Sequence, residues 1–268
     1  MSKRIHIVGV SPRTGTTLMA ELMINGFRID GYAEHELSIF KRPKGQFNIF
    51  LSKKPRETDC MLPLLFLDRN LWVICMIRDP RDVVVSKHGR DNTKYWTNLR
   101  VWKECYREVP KLAKHQRCLM VYYEDLVKGP DAVQDRILRR MSFLTKQSSF
   151  SQFHQKARPS RKSEKALGGV RPLSSESVGV WRQHKPRLAA QIELHGSIAQ
   201  DLIELGYETD DSWIAELKHI APNNFASKKA EHLSKWKYAR IKLRHYILTL
   251  RYALHISPRV SIDQSSSQ

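Results

Sequence analysis

"SPRTGTTLM" at residues 11–19 follows the apolar run "RIHIVGV" at residues 4–10. Gly9 and Ser11-Pro12 bound that β-branched run, so it reads as a strand. "TTLMAELMINGF" at 16–27 sets Leu18, Leu22 and Met23 on one face and carries Gly26 near its end, which predicts a helix opening at the loop. A strand that turns through such a loop into a helix aims backbone N–H groups at an anion, and the helix dipole adds to their pull. A nucleotide-hydrolysing loop would read G-x-x-x-x-G-K-[ST]. Here Gly15 is followed by Thr16-Thr17, and the cation, Arg13, precedes the glycine. No lysine is placed for a γ-phosphate, and no acidic strand end awaits Mg²⁺. The loop predicts a phosphate site made by Pro12, Arg13, Thr14, Gly15, Thr16 and Thr17, and it argues against ATP hydrolysis.

"LWVICMI" at 71–77 is a continuous apolar run, the pattern of a strand covered on both faces. It leads into "RDPRDVVVSKHGR" at 78–90. Arg78 then falls at a strand's C-terminal end, where open α/β sheets bind ligands. Pro80 is suited to start a helix. On that helix Ser86 and Arg90, four apart, would share a face. Arg78, Ser86 and Arg90 are therefore expected to converge on a second phosphate, whereas Arg81 and Asp82 fit surface ion pairs. "CLMVYY" at 118–123 is a third strand pattern, with helical patterns at 97–109 and 130–144. Strands alternating with helices predict an α/β fold with a central parallel sheet.

The chain has 268 residues, 41% hydrophobic and 27% charged, with a formal net charge of +19. That excess of cations predicts anionic partners. Cys60, Cys75, Cys105 and Cys118 have no metal-ligand spacing, so free reduced thiols and no metal site are expected. The N-terminal apolar run is too short for a signal peptide. No stretch approaches the roughly 20 apolar residues of a membrane span. A cytoplasmic location is the expectation, with peripheral membrane contact as an addition to it.

"SPRTGTTLM" together with "RDPRDVVVS" resembles the sulfotransferase superfamily, whose donor is 3′-phosphoadenosine 5′-phosphosulfate (PAPS). The resemblance spans roughly residues 4–207 and is nearest to the tyrosylprotein sulfotransferases and similar bacterial enzymes. It implies a P-loop-type three-layer fold, with the first loop at the 5′-phosphosulfate and the second element at the 3′-phosphate. Glu34 in "GYAEHEL", twenty-one residues after Arg13, stands at the spacing of the tyrosylprotein enzymes' catalytic glutamate. His35 and Glu36 are rivals for the same role. Lys53 in "SKKPRE" corresponds to a lysine that neutralises the transferring sulfuryl group. Tyr123 in "CLMVYYEDLVKGP" would lie near the nucleotide. "PLSSESVGVWR" resembles the loop that closes over the cofactor, which makes Ser175 and Arg182 candidate contacts. The expected reaction moves the sulfuryl group to a hydroxyl acceptor, carbohydrate or lipid, and an anionic glycan would suit the charge. Arg13 and Lys53 would stabilise charge and a carboxylate would act as base. The rival readings are a P-loop kinase of a small metabolite and a basic module for nucleic acid or an anionic membrane. With a sulfotransferase, no nucleic-acid partner is expected.

Residues 156–177 are basic and rich in Gly, Ser and Pro, which reads as a long loop, and 186–207 return to a helical period. These residues close a domain over 1–207. The extension over 208–268 is basic. Within it, 228–256 set Trp236, Leu243, Ile247, Leu250 and Leu254 at spacings of 7, 4, 3 and 4, one apolar stripe with a basic opposite face. Such a helix packs on its own domain, pairs with a second subunit or lies on a membrane. The last residues, "SIDQSSSQ", have a disordered composition.

Overall fold

The computed structural model describes residues 2–88 and 91–261. Among the described residues the strands are β1 (Lys3–Gly9), β2 (Gly31–Glu36), β3 (Arg42–Pro43), β4 (Ile49–Lys53), β5 (Leu71–Ile77), β6 (Lys87–His88), β7 (Asp91–Tyr95), β8 (Cys118–Tyr122) and β9 (Arg259–Val260). The α-helices are α1 (Thr16–Gly26), α2 (Thr58–Leu67), α3 (Pro80–Val84), α4 (Leu99–Tyr106), α5 (Val109–Ala113), α6 (Tyr123–Lys128) and α7 (Pro130–Arg140). They continue with α8 (Phe153–Lys156), α9 (Arg161–Leu167), α10 (Lys185–His195), α11 (Ala199–Glu204) and α12 (Lys235–Ala253).

Five strands form the central sheet in the order β2-β4-β1-β5-β8, and every neighbouring pair is parallel. Alternate side chains of β1 and β5 face opposite layers. Ile5, Ile7, Ile74 and Met76 pack with Met19, Leu22 and Met23 of α1 and with Val133 and Ile137 of α7. Val8, Val73, Cys75 and Ile77 pack with Met61 and Leu64 of α2 and with Trp102 of α4. Each fully buried aliphatic side chain contributes about 2 kcal/mol of transfer free energy, so both faces of the sheet are committed to helices. The four cysteines are buried and free.

From β1 the chain moves to β2 and β4 on one side, then crosses to β5 and β8 on the other. The crevice outside the C-terminal ends of β1 and β5 is the topological switch point, where such sheets bind ligands. The 11–17 loop and Arg78 both open onto it.

Four local readings are corrected. The helix after Pro80 ends at Val84, because "VVV" stiffens the chain against helix, and a short hairpin of β6 and β7 follows. Ser86 therefore lies beyond the helix, and the face it was expected to share with Arg90 is not helical. Arg90 itself lies outside the described residues. The basic loop 156–177 contains α9, capped where the Ser160 side chain accepts from the Ser163 N–H and ended by Gly168 at φ 73°. The 186–207 period breaks at Gly196, φ 81°, into α10 and α11. Finally, Arg81 and Asp82 are buried rather than surface groups.

The described residues from 208 onward pack against the rest of the chain. Trp213 meets Trp181 edge-on at 6.1 Å. Arg81, held by Asp79 and Glu208, sits with its guanidinium 4.6 Å from the Trp181 ring centre and 4.9 Å from that of Trp213. β9 pairs with β3, and Tyr252 of α12 donates to Asp68 Oδ2 at 2.5 Å. Among the described residues, no helix is long and apolar enough to cross a membrane.

Candidate active site

The loop between β1 and α1 is built on three left-handed residues, Ser11 (φ 90°), Arg13 (φ 76°) and Gly15 (φ 85°). Alternation of this kind curls successive N–H groups into an anion-binding concavity. The two non-glycine positions each hold about 1 kcal/mol or more of backbone strain, which the surrounding bonds must hold in place. Thr14 Oγ1 donates to the Ser11 carbonyl at 3.1 Å, the Ser11 hydroxyl meets Thr97 Oγ1 at 3.1 Å, and Thr58 Oγ1 donates to the Gly9 carbonyl at 2.8 Å. Gly15 is required twice: by its positive φ, and because a Cβ there would lie 2.6 Å from the Tyr123 ring. It also begins α1 with no side-chain cap and no acidic residue in the first turn, leaving that turn's N–H groups for an anion.

Arg78 couples this loop to the end of β5. Its Nη1 donates to the Arg13 carbonyl at 3.0 Å and its Nη2 to the Ser177 carbonyl at 2.6 Å. Its guanidinium carbon lies 4.7 Å from the Tyr123 ring centre, and the Tyr123 and Ser177 hydroxyls are 2.7 Å apart. Arg13 Nε donates to Ser86 Oγ at 2.8 Å. Both guanidiniums thus bond neutral oxygens. Burial lowers the pKa of Arg13 and the charge of Arg78 lowers it further, a cost that nearby negative charge would relieve. The Nε of Arg78 is buried without a hydrogen-bond partner.

Lys53 ends β4 and is buried, with Nζ donating to Thr17 Oγ1 at 2.7 Å. Burial lowers its pKa, and the charges of Glu21 and Glu36 oppose that shift. Glu21, on α1, is itself raised by burial. On β2 the candidate bases separate. Glu36 pairs in register with Lys53 and lines the cavity above the loop. Glu34 is half-buried, its carbonyl accepts from Ser163 Oγ at 3.5 Å, and its charge acts on Glu21. His35 is exposed.

The cavity has a volume of about 580 Å³, with Pro12, Arg13, Gly15, Thr16, Thr17, Glu36, Arg78 and Tyr123 in its walls. Residues 166–180 form the far wall through Gly169, Arg171, Ser174, Glu176 and Ser177. Asp82 holds that segment by accepting from the Gly179 and Trp181 N–H groups at 2.7 and 2.9 Å. Ser175 is exposed and its carbonyl caps Val178. Arg182 pairs with Glu216 at 3.6 Å and lies 4.5 Å from the Trp181 ring centre, outside the cavity walls. Sequence reasoning missed Arg171, Ser177 and Trp96. A second cavity, of about 700 Å³, shares Pro12, Glu36, Pro55 and Trp96 with the first. Phe40, Ile241 and Leu248 give it apolar walls, and Arg56 and Arg244 add cations.

Residues 31–143 match a family model described as the sulfotransferase family. This match bears out the resemblance over residues 31–143, which include "RDPRDVVVS". It covers Glu34, Glu36, Lys53, Arg78 and Tyr123, and the 11–17 loop precedes it. No curated protein matches the sequence. Among solved structures, a sulfotransferase domain from the curacin biosynthetic pathway is 14% identical, over 69% of this chain and 98% of that one, with a TM-score of 0.40. A retinol dehydratase in complex with androsterone and the inactive cofactor PAP is 14% identical, over 82% of each chain, with a TM-score of 0.40.

Proposed function

We propose that this chain, matched to the sulfotransferase family over residues 31–143, transfers the sulfuryl group of PAPS to the hydroxyl of a carbohydrate or lipid. The observation that carries the reading is the Arg78–Arg13 linkage. It sets the buried Arg78 guanidinium, the half-buried Arg13 guanidinium and a left-handed N–H loop around one crevice, an arrangement suited to a ligand with two separated phosphates.

PAPS brings the sulfuryl group as its mixed anhydride. The protein's part is to hold, neutralise and deprotonate. The loop N–H groups from Thr14 to Thr17 and the Arg13 side chain stabilise charge growing on the leaving 5′-phosphate. Lys53, fixed on Thr17, neutralises the sulfuryl oxygens. Arg78, with Ser86 bonded to Arg13, serves the 3′-phosphate, and Tyr123 borders the adenosine. A β2 carboxylate takes the acceptor's proton as the new S–O bond forms and the anhydride S–O bond breaks. The products are a sulfate ester and adenosine 3′,5′-bisphosphate. Glu34 has the family spacing, whereas Glu36 faces the cavity, and the geometry favours Glu36. The second cavity, part apolar and part cationic, is suited to an amphiphilic or anionic acceptor.

The test is incubation of the purified protein with PAPS and a panel of glycans and lipids, reading the bisphosphate released. Acceptor-dependent release supports the reading. Release with no acceptor dependence, or none with any hydroxyl compound, counts against it.

A further inference from the structure

Helix α12 is amphipathic twice over. It holds the domain through Ile241, His245, Leu248 and Tyr252, a face with spacings of 4, 3 and 4. His245 Nδ1 and Lys242 Nζ meet Asp59 of α2 at 3.0 and 3.3 Å, and Tyr252 is 3% exposed. The stripe recognised in the sequence is the other face. Trp236 is 87% exposed, Leu243 59%, Ile247 47%, Leu250 46% and Leu254 67%. At 100° per residue these five fall within one narrow sector opposite the docked face. Exposed Lys235, Lys237, Arg240 and Arg251 flank them, and no acidic residue occurs from 235 to 254.

We propose that this outward face of α12 docks the enzyme on an anionic lipid bilayer. An apolar stripe edged by Lys and Arg is the pattern of a helix lying in the interfacial plane. Its charge decides between occupants. A second copy would bring an equally cationic helix against this one, with no carboxylate in the helix to pair it. Nucleic acid would use the cations and leave the aliphatic stripe in water. An anionic bilayer satisfies both, with headgroups for the cations and acyl chains for the stripe.

A second observation points to the same surface. The stripe ends at Leu254, between Ala253 and His255, which both border a cleft of about 1100 Å³ at the N-terminal end of the sheet. Lys3, Arg4, Arg42 and Arg69 share that lining, and Asp68, its one carboxylate among the described residues, already accepts from Tyr252. Arg4 is buried and its Nε has no partner. Exposed Leu67, on the rim, continues the apolar surface. The cleft suits a headgroup phosphate. The outward stripe and the cleft share no residue with the 11–17 loop or the cavity above it, so the docking does not rest on the transfer reaction.

The experiment is co-sedimentation of the full chain with phosphatidylcholine vesicles, with and without about 30 mol % phosphatidylglycerol, chosen for its anionic headgroup. Partition into the anionic vesicles and weak partition into neutral ones are expected. The doubly substituted L243D/L250D chain should partition at least about ten-fold less, since charge replaces two stripe residues facing lipid. Its melting temperature should match that of the unsubstituted chain, which shows that the fold persists. Equal sedimentation with both vesicle types, or full retention by L243D/L250D, would overturn the proposal. So would a dimer in solution that L243D/L250D dissociates, since a second copy would then be the occupant.

Discussion

Arg78 Nη1 donates to the main-chain carbonyl of Arg13 at 3.0 Å, tying the end of β5 to the loop after β1. The bond joins two elements far apart in sequence around the proposed two-phosphate crevice, so removing Arg78 should disturb both halves. Arg78→Ala is expected to lower affinity for adenosine 3′,5′-bisphosphate by about 10- to 100-fold, the loss of charge-assisted bonds worth about 1.5–3 kcal/mol. Arg78→Lys should restore only part of it, because one ammonium cannot reproduce two guanidinium bonds. Titration calorimetry reads both. Wild-type affinity in Arg78→Ala would remove this residue from the site.

In the proposed mechanism Arg13 bears on the leaving phosphate. Arg13→Ala should lower kcat by about 10²-fold, the usual effect of removing one transition-state donor. Its melting temperature should hold, since the lost side-chain bond is a single one to Ser86. A parallel collapse in melting temperature would instead make the residue structural.

The two β2 carboxylates make opposed predictions. If Glu36, in the cavity wall, is the base, Glu36→Gln abolishes turnover and keeps bisphosphate binding. Glu34→Gln, at the residue acting on Glu21, then keeps most of its activity. The reverse pattern in a rate assay of both variants would return the role to Glu34.

Gly15→Ala should destabilise the protein by about 2 kcal/mol or more, since alanine at φ 85° is strained and its methyl would meet Tyr123. Thermal melting of the variant checks this. Recovery in Gly15→Ala/Tyr123→Leu would separate the ring contact from backbone strain.

A buried pair sets acid stability. His6 Nδ1 lies 2.8 Å from Ser52 Oγ, and its Nε2 lies 3.2 Å from Glu57 Oε2. Burial alone would raise the Glu57 carboxyl. Hydrogen bonding from His6, the Ile39 N–H and Ser38 outweighs that and brings it down from 4.5 to about 2. Burial lowers His6. Both folded values lie below their unfolded ones, so both contribute stability at neutral pH that falls as pH drops. The His6 part begins to go below about 6.5, and the Glu57 part goes between about 4.5 and 2. Denaturant unfolding from pH 7 to pH 3 should show this, and Glu57→Gln should flatten the segment below pH 4.5. An unchanged slope in that variant would assign the acid loss elsewhere.

Much of this site was legible because its signals are local. The β1 run, Gly15 and Arg78 at the end of a seven-residue apolar strand each declare themselves by pattern. β2 did not, since "GYAEHE" lacks an apolar alternation and is a strand only because β4 pairs with it. Nor could sequence separate Glu34 from Glu36, because the register shift between Tyr32 and Glu36 decides which carboxylate meets Lys53. Ser177 and Arg171 enter through the Asp82 bonds to Gly179 and Trp181, which span nearly a hundred residues. The α12 stripe was visible as a period. Which face it turned outward depended on Asp59, Asp68 and α2.

Calorimetric titration with adenosine 3′,5′-bisphosphate, against ATP and without Mg²⁺, tests the central claim most directly. The proposed two-phosphate crevice predicts micromolar binding of the bisphosphate and weak binding of ATP. Tight ATP binding, or no binding of either nucleotide, would contradict it.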